Sequence, residues 1–220
     1  MKEQLIVRGG RKLGGDLHVS AAKNSVLPLI ACCIMSDKEI HIRNCPAIAD
    51  IFSMIEIIKS IGGEAELSDG VLTVNCKNAN PKLVSAELTS SIRSSVFILG
   101  PILARFRYAD ISYPGGCEIG LRPIDLHIYG LKCLGIKVTE SNGMIICDGT
   151  EKRGGVVNLD FPSVGATENI MMAGVLGKGI TVIRNAAREP EIVDLQNFIN
   201  YLGGKVTGAG SGVITVEGVG

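Results

Sequence analysis

The 220-residue chain carries 22 Lys+Arg against 22 Asp+Glu, a formal net charge of zero with a pI near 6.8. That balance leaves no electrostatic footprint for nucleic acid or an anionic membrane surface, and 46% apolar residues exclude a disordered chain. There are 28 glycines where average usage gives roughly 15, no Trp, and few aromatics, so many tight turns are expected around an aliphatic core.

In chain order, residues 1–13 lack the apolar stretch of a signal peptide and precede a repeating pattern. A strand is expected over 14–20, then the almost wholly apolar helix NSVLPLIACCIM, the short strand EIHIRN, and a loop closed by an acidic helix start at Asp50. That helix stops at Gly62, and Asp69-Gly70 signals a two-residue hairpin. The order then recurs with a strand at about 82–87, the helix SSVFILGPILA, the strand YADISYP, a helix start at Asp125, a stop at Gly135 and a hairpin at Asn142-Gly143. A third pass brings a strand over 155–160, ATENIMMAGVLG, ITVIRN, a helix start at Asp194, a stop at Gly203 and a glycine-rich turn at 208–212. In this last helix Leu195, Phe198, Ile199 and Leu202 recur at helical spacing.

The stop glycines lie 73 and 68 residues apart, so the period suits a small β-α-β-α-β-β unit used three times, over about 14–80, 81–150 and 151–220. The first helix of each unit is apolar all round and should be buried on every side. Three buried helices surrounded by sheets is the economical packing; a two-layer α/β sandwich fits such helices less well. The longest uncharged run, Asn24 to Ser36, is interrupted by Pro28 and too short for a bilayer. Seven cysteines, odd in number and without a CxxC pair, give neither a disulfide framework nor a zinc site. A reduced, cytoplasmic protein without metal or cofactor is the expectation.

Departures from the repeat are where function is sought. From short strand to acidic helix start, the first unit takes seven residues (Arg43 to Asp50), the third ten (Arg184 to Asp194) and the second twelve, Tyr113 to Asp125, reading YPGGCEIGLRPID. Cys117 lies in this glycine-rich stretch, five residues before Arg122, where access and a guanidinium would favour a reactive thiolate. The other six cysteines fall in apolar segments and read as small hydrophobes. Lys23 and Arg93 each precede the loop start of their unit by 21 residues, which places both at N-termini of buried helices, where phosphate or carboxylate binds. Spacing alone allows equally that these two cations mark where solvent begins. GAGSG at 208–212 lies between strands and is a hairpin, not a dinucleotide fingerprint, and His41, His127 and Asp125 have no metal-ligand spacing.

AAKNSVLP (21–28), SSIRSSVFILGPILARF (90–106), PGGCEIGLRPIDLH (114–127), DFPSVGATENIMMA (160–173) and NAAREPEIVDLQNF (185–198) resemble the UDP-N-acetylglucosamine 1-carboxyvinyltransferase (enolpyruvyl-UDP-GlcNAc synthase) family. The shikimate-pathway enolpyruvyl transferase shares the repeat but is not similar at the cysteine loop. The resemblance implies an inside-out α/β barrel of two halves, each made of three β-α-β-α-β-β units. It implies enolpyruvyl transfer from phosphoenolpyruvate to the 3-hydroxyl of UDP-N-acetylglucosamine, the first committed step of peptidoglycan synthesis. Lys23 and Asn24 match phosphoenolpyruvate contacts and Arg93 a substrate-binding arginine. Arg122, Pro123, Ile124, Asp125 and Leu126 match the stretch lining the UDP-sugar site, and Ser163 matches a nucleotide-side contact. Cys117 matches the proton donor, also the residue alkylated by fosfomycin. Members are about twice as long, and their second half supplies the base and closes the site. Residues 1–20 would belong to that second half, leaving 21–220 as one lobe. A UDP-sugar-binding module without turnover and a structural repeat protein are the competing readings; the cysteine loop disfavours the latter.

Overall fold

Tight turns set the register of the first two of three sheets. In this computed structural model, which describes residues 4–17, 19–80, 93–113 and 124–220 without the side chains of residues 93 and 94, Asp69 and Gly70 have φ of 49° and 73°, and Asn142 and Gly143 have 51° and 73°. Both central residues of each turn are left-handed, as a two-residue hairpin matching the strand twist requires. They close strands β2 (Glu64–Ser68) and β3 (Val71–Asn75) with Ser68 opposite Val71, and β5 (Lys137–Ser141) and β6 (Met144–Asp148) with Ser141 opposite Met144. The third hairpin joins β9 (Lys205–Thr207) to β10 (Val213–Glu217) through the glycine-rich stretch.

Each hairpin takes a third, antiparallel strand on the free edge of its second member. Strand β1 (Glu39–Arg43) pairs with β3, β4 (Tyr108–Ser112) with β6, and β8 (Ile180–Arg184) with β10. One bond recurs just past each of these strands: Cys45 N–H donates to Gly70 O, Tyr113 N–H to Gly143 O, and Ala186 N–H to Gly212 O. In the third sheet β7 (Val156–Asn158) adds parallel to β8, which a connection through a helix permits.

The outer helices α2 (Ala49–Ser60), α4 (Asp125–Cys133) and α6 (Pro190–Tyr201) end alike. Gly62, Gly135 and Gly203 have φ of 84°, 78° and 98°. Their N–H groups donate three residues back, to Lys59, Lys132 and Asn200, while the next residue donates five back, to Ile58, Leu131 and Ile199. That bond pair satisfies otherwise orphaned carbonyls and needs a left-handed residue, hence glycine. The equivalence of the three stops holds.

The inner helices are α1 (Lys23–Cys32), α3 (Leu99–Phe106, entered through a 3-10 turn at Arg93–Ile98) and α5 (Val164–Val175). α3 packs on α5 and on the 3-10 turn Cys33–Met35 that ends α1, while α1 packs on the turn leading into α3. Val26, Leu27, Ile30, Leu99, Ile102, Leu103, Ile170, Met171 and Met172 are buried in one continuous core. Each such side chain gains about 1.5–3 kcal/mol by leaving water. Among the described residues no helix is long and apolar enough to cross a membrane.

Four expectations are corrected. The described residues of 14–20 form no strand: Leu17 and Val19 are exposed, and a strand without a partner has nothing to hold it. The strand at 155–160 is confined to Val156–Asn158, and the one at 82–87 lies outside the described residues. Asp194 does not start a helix; Pro190 does, because proline's fixed φ suits the first position and its missing N–H costs nothing there. The step from Ala186 to Pro190 is therefore four positions, as it is from Cys45 to Ala49, against twelve from Tyr113 to Asp125, so the second unit alone is expanded. Finally, Cys133 is half-buried, unlike Cys32, Cys33, Cys45, Cys76 and Cys147.

Candidate functional site

Side-chain contacts bring the starts of the helices to one end of the lobe. Lys23, first residue of α1, places Nζ 2.7 Å from Oδ2 of Asp50 in the first turn of α2. Ser25 Oγ donates to Oδ2 of Asp194, in the second turn of α6, at 2.8 Å. Thr167 Oγ1, in the first turn of α5, donates to Ser163 O and accepts from Ala187 N–H, just ahead of α6. His127, third residue of α4, meets Asn169 of α5 at 2.8 Å. The positive ends of these dipoles thus gather at one face, which favours an anionic ligand.

Lys23 is half-exposed, and so is Asp50. Such a pair is worth about 0–1 kcal/mol, so the ammonium is readily given up to a competing phosphate or carboxylate. Asn24, beside it, is exposed. The backbone of Arg93 heads the turn that leads into α3, as its spacing implied. Ile124 is buried, Asp125 is exposed in the first turn of α4, and Leu126 packs partly against the core. Ser163 caps α5, its Oγ accepting from Ala166 N–H at 3.4 Å. Cys117, Arg122 and Pro123 lie outside the described residues, as does the side chain of Arg93. The structure therefore brings Lys23, Asn24, Asp125, Leu126 and Ser163 to the helix-start end.

A cleft of about 450 Å³ borders this end, walled by Tyr113, Asp125, Tyr129, Lys132 and Glu140. It lies between α4 and the edge of the second sheet, where the Tyr113 hydroxyl donates to the Glu140 carboxylate. Among the described residues no group of three or more His, Cys, Asp or Glu could hold a metal ion.

Sequence reasoning passed over a polar triplet inside α5. Thr167, Glu168 and Asn169 are all buried. Burial, with Glu191 and Glu189 nearby, pushes the Glu168 carboxyl well above the usual carboxylate range, and among the described residues neither of its oxygens has a hydrogen-bond partner. The signal was present in ATENIMMA as three consecutive polar residues in an otherwise apolar helix. Burial likewise pushes the Cys76 thiol up to about 11 and Cys147 to about 12, and raises Cys32, Cys33 and Cys45. These five are poor nucleophiles.

Residues 7–220 match the family of EPSP synthase (3-phosphoshikimate 1-carboxyvinyltransferase). The chain belongs to this family. Among relatives of this EPSP synthase-family chain, a protein named UDP-N-acetylglucosamine 1-carboxyvinyltransferase 2 from Caldanaerobacter subterraneus subsp. tengcongensis is 49% identical over 97% of the chain and 51% of its own length. UDP-N-acetylglucosamine 1-carboxyvinyltransferase 1 from Symbiobacterium thermophilum is 48% identical over 99% of the chain and 51% of its own length. The chain spans about half the length of these curated relatives. Among solved structures, the enolpyruvyl transferase NikO from Streptomyces tendae superposes with a TM-score of 0.82 at 20% identity, over 96% of the chain and 50% of that protein. EPSP synthase from Acinetobacter baumannii gives 0.72 at 18%, over 94% of the chain and 47% of that protein. These likenesses show the fold, an enolpyruvyl transferase-like α/β lobe, in agreement with the expected fold class.

Proposed function

We propose that the chain is one lobe of a cytoplasmic enzyme that transfers enolpyruvyl from phosphoenolpyruvate to the 3-hydroxyl of UDP-N-acetylglucosamine, at the start of peptidoglycan synthesis. The observation that carries this reading is 48–49% identity, along 97–99% of the chain, to proteins of that name. The gathered helix starts support it, since both substrates are anions.

In the proposed reaction the sugar 3-hydroxyl gives its proton to a base of the second lobe as its oxygen bonds to C2 of phosphoenolpyruvate, and the π pair of the double bond takes up a proton at C3. The adduct then returns a proton from C3 to a base, the C3–H pair re-forms the double bond, and the C2–O bond breaks to release inorganic phosphate. Lys23 holds an anionic group of phosphoenolpyruvate by a charge-assisted hydrogen bond, and Arg93 binds the UDP-sugar from the turn that leads into α3. Asn24 contributes a polar contact beside Lys23. Cys117 delivers the proton to C3 as general acid. Arg122, Pro123, Ile124, Asp125 and Leu126 line the UDP-sugar, and Ser163 contacts its nucleotide side. A second lobe closes over these groups, supplies the base, and takes up residues 1–20, whose Leu5, Ile6, Val7, Leu13, Leu17 and Val19 are 79–92% exposed.

Calorimetric titration of the chain with UDP-N-acetylglucosamine and, separately, shikimate 3-phosphate tests the substrate. Saturable binding of the UDP-sugar alone is expected; a preference for shikimate 3-phosphate would overturn the reading. A coupled phosphate-release assay on the same preparation should show no turnover, because these 220 residues span about half the length of the relatives and the proposed base and closing lobe belong to the other half.

A further inference from the structure

The carboxamide of Asn169 enters the backbone of a neighbouring helix. Gly100 N–H and Val96 C=O would be partners in an uninterrupted α-helix. Instead Gly100 N–H donates to Asn169 Oδ1 at 2.8 Å, and Asn169 Nδ2 donates to Val96 O at 2.9 Å. The insertion coincides with the change from the 3-10 turn Arg93–Ile98 to α3. A side chain engaging both groups of one helical step is a physical cause of such a break. Pro101 follows directly and has no N–H to restore the ladder.

Donor and acceptor chemistry settles every orientation here. Gly100 N–H can only donate, so the atom facing it is the amide oxygen. Nδ2 then spends its second hydrogen on Nδ1 of His127, 2.8 Å away, which must be the unprotonated ring nitrogen. Two glycines make room. A Cβ on Gly100 would lie 2.4 Å from Asn169 O, and one on Gly165 would lie 3.2 Å from Cε1 of His127.

Three segments meet at this pair: the turn headed by Arg93, the α4 start with Asp125 and Leu126, and the first turn of α5 after Ser163. Each carries a residue of the site proposed above, and neither Asn169 nor His127 is one of those residues. We propose that Asn169 and His127 are positioning residues, an amide–imidazole pair that holds the Arg93 segment in register with the α4 start so that one nucleotide-sugar can engage both. This rests on the proposed function.

Two variants of one size separate positioning from bulk. His127→Asn keeps an acceptor near the place of Nδ1, and His127→Leu removes it; both lose the remainder of the imidazole. The 220-residue chain is titrated with UDP-N-acetylglucosamine while the Gly100, Leu126 and Gly165 amides are followed by 1H–15N NMR. His127→Leu should bind about tenfold more weakly than His127→Asn, the order expected for one buried donor left unpaired. Its Gly100 amide should move before ligand is added, whereas in His127→Asn that amide stays near its wild-type position. Asn169→Asp, which cannot donate to Val96 O, should behave as His127→Leu and serves if the latter does not fold. Equal affinities for His127→Leu and His127→Asn, with Gly100 unmoved in both, would overturn the proposal. If the wild-type chain binds no UDP-sugar, the proposed function fails, while the Gly100 amide in the ligand-free variants still decides whether the pair sets this geometry.

Discussion

The two ends of the inner helices use their cations differently. At the C-terminal end, Arg105 Nη1 donates to the carbonyls of Ile34, Ser36 and Cys76 at 2.9, 3.2 and 2.7 Å, Nη2 donates to Lys77 O, and the guanidinium lies over the Phe106 ring. Lys152, buried, donates to Ala173 O and Leu176 O at the end of α5. Of these carbonyls Ile34, Ala173 and Leu176 belong to helix ends, where the dipole is negative, and Ser36, Cys76 and Lys77 to the segments beyond. At the opposite end Lys23 has a half-exposed carboxylate, and Ser25 a single bond to Asp194. Cations fixed on backbone hold a fold together; a cation in a weak surface pair is free to take a ligand.

If that contrast is right, the largest stability loss comes from the closed end. Arg105→Met should cost about 2–4 kcal/mol in urea unfolding, since several carbonyls lose a charged donor at once. A loss below about 0.5 kcal/mol would place Arg105 among ordinary surface cations. For the proposed proton donor the expected effect is chemical. Brief iodoacetamide treatment with mass-spectrometric mapping should label Cys117 at least about tenfold faster than half-buried Cys133, and faster still than the five buried thiols. Labelling of Cys133 first, with Cys117 intact, would overturn the role proposed for Cys117.

Legibility follows the same division between local and long-range chemistry. Asp69-Gly70, Asn142-Gly143 and the stops at Gly62, Gly135 and Gly203 were readable because each answers to its own φ. Lys23 and Arg93 were readable through the repeat, which placed both at helix starts. Pro190 was overlooked because an acidic residue was sought, although REPEI carried a proline at the first helical position. The pairing of Asn169 with Gly100 and Val96 was not readable, since it joins residues about seventy positions apart and belongs to packing. The strand expected at 14–20 failed for a similar reason: its partner is a matter of tertiary contact.

Glu168 gives a smaller effect with a definite sign. Its carboxyl is raised in the folded chain, so its contribution is fully present below the unfolded value near 4.5 and is lost as pH rises toward the folded one. Glu168→Gln should therefore raise stability on the order of 1 kcal/mol, about 2–4 °C in Tm, with a larger gain at pH 8 than at pH 5. A gain independent of pH would mean that the carboxyl is not held neutral. Smallest of all, Lys23→Met should change stability by less than about 0.5 kcal/mol. A loss approaching that of Arg105→Met would erase the distinction between the two ends.

The most direct measurement is a map of backbone amide shifts in the 220-residue chain on adding UDP-N-acetylglucosamine and phosphoenolpyruvate together. Shifts are expected around Lys23–Val26, Asp125–His127 and Ser163–Thr167, with Ile34–Ser36, Arg105 and Ala173–Leu176 left in place. Perturbation confined to the Arg105 and Lys152 end would contradict the assignment of the helix starts as the ligand-binding face.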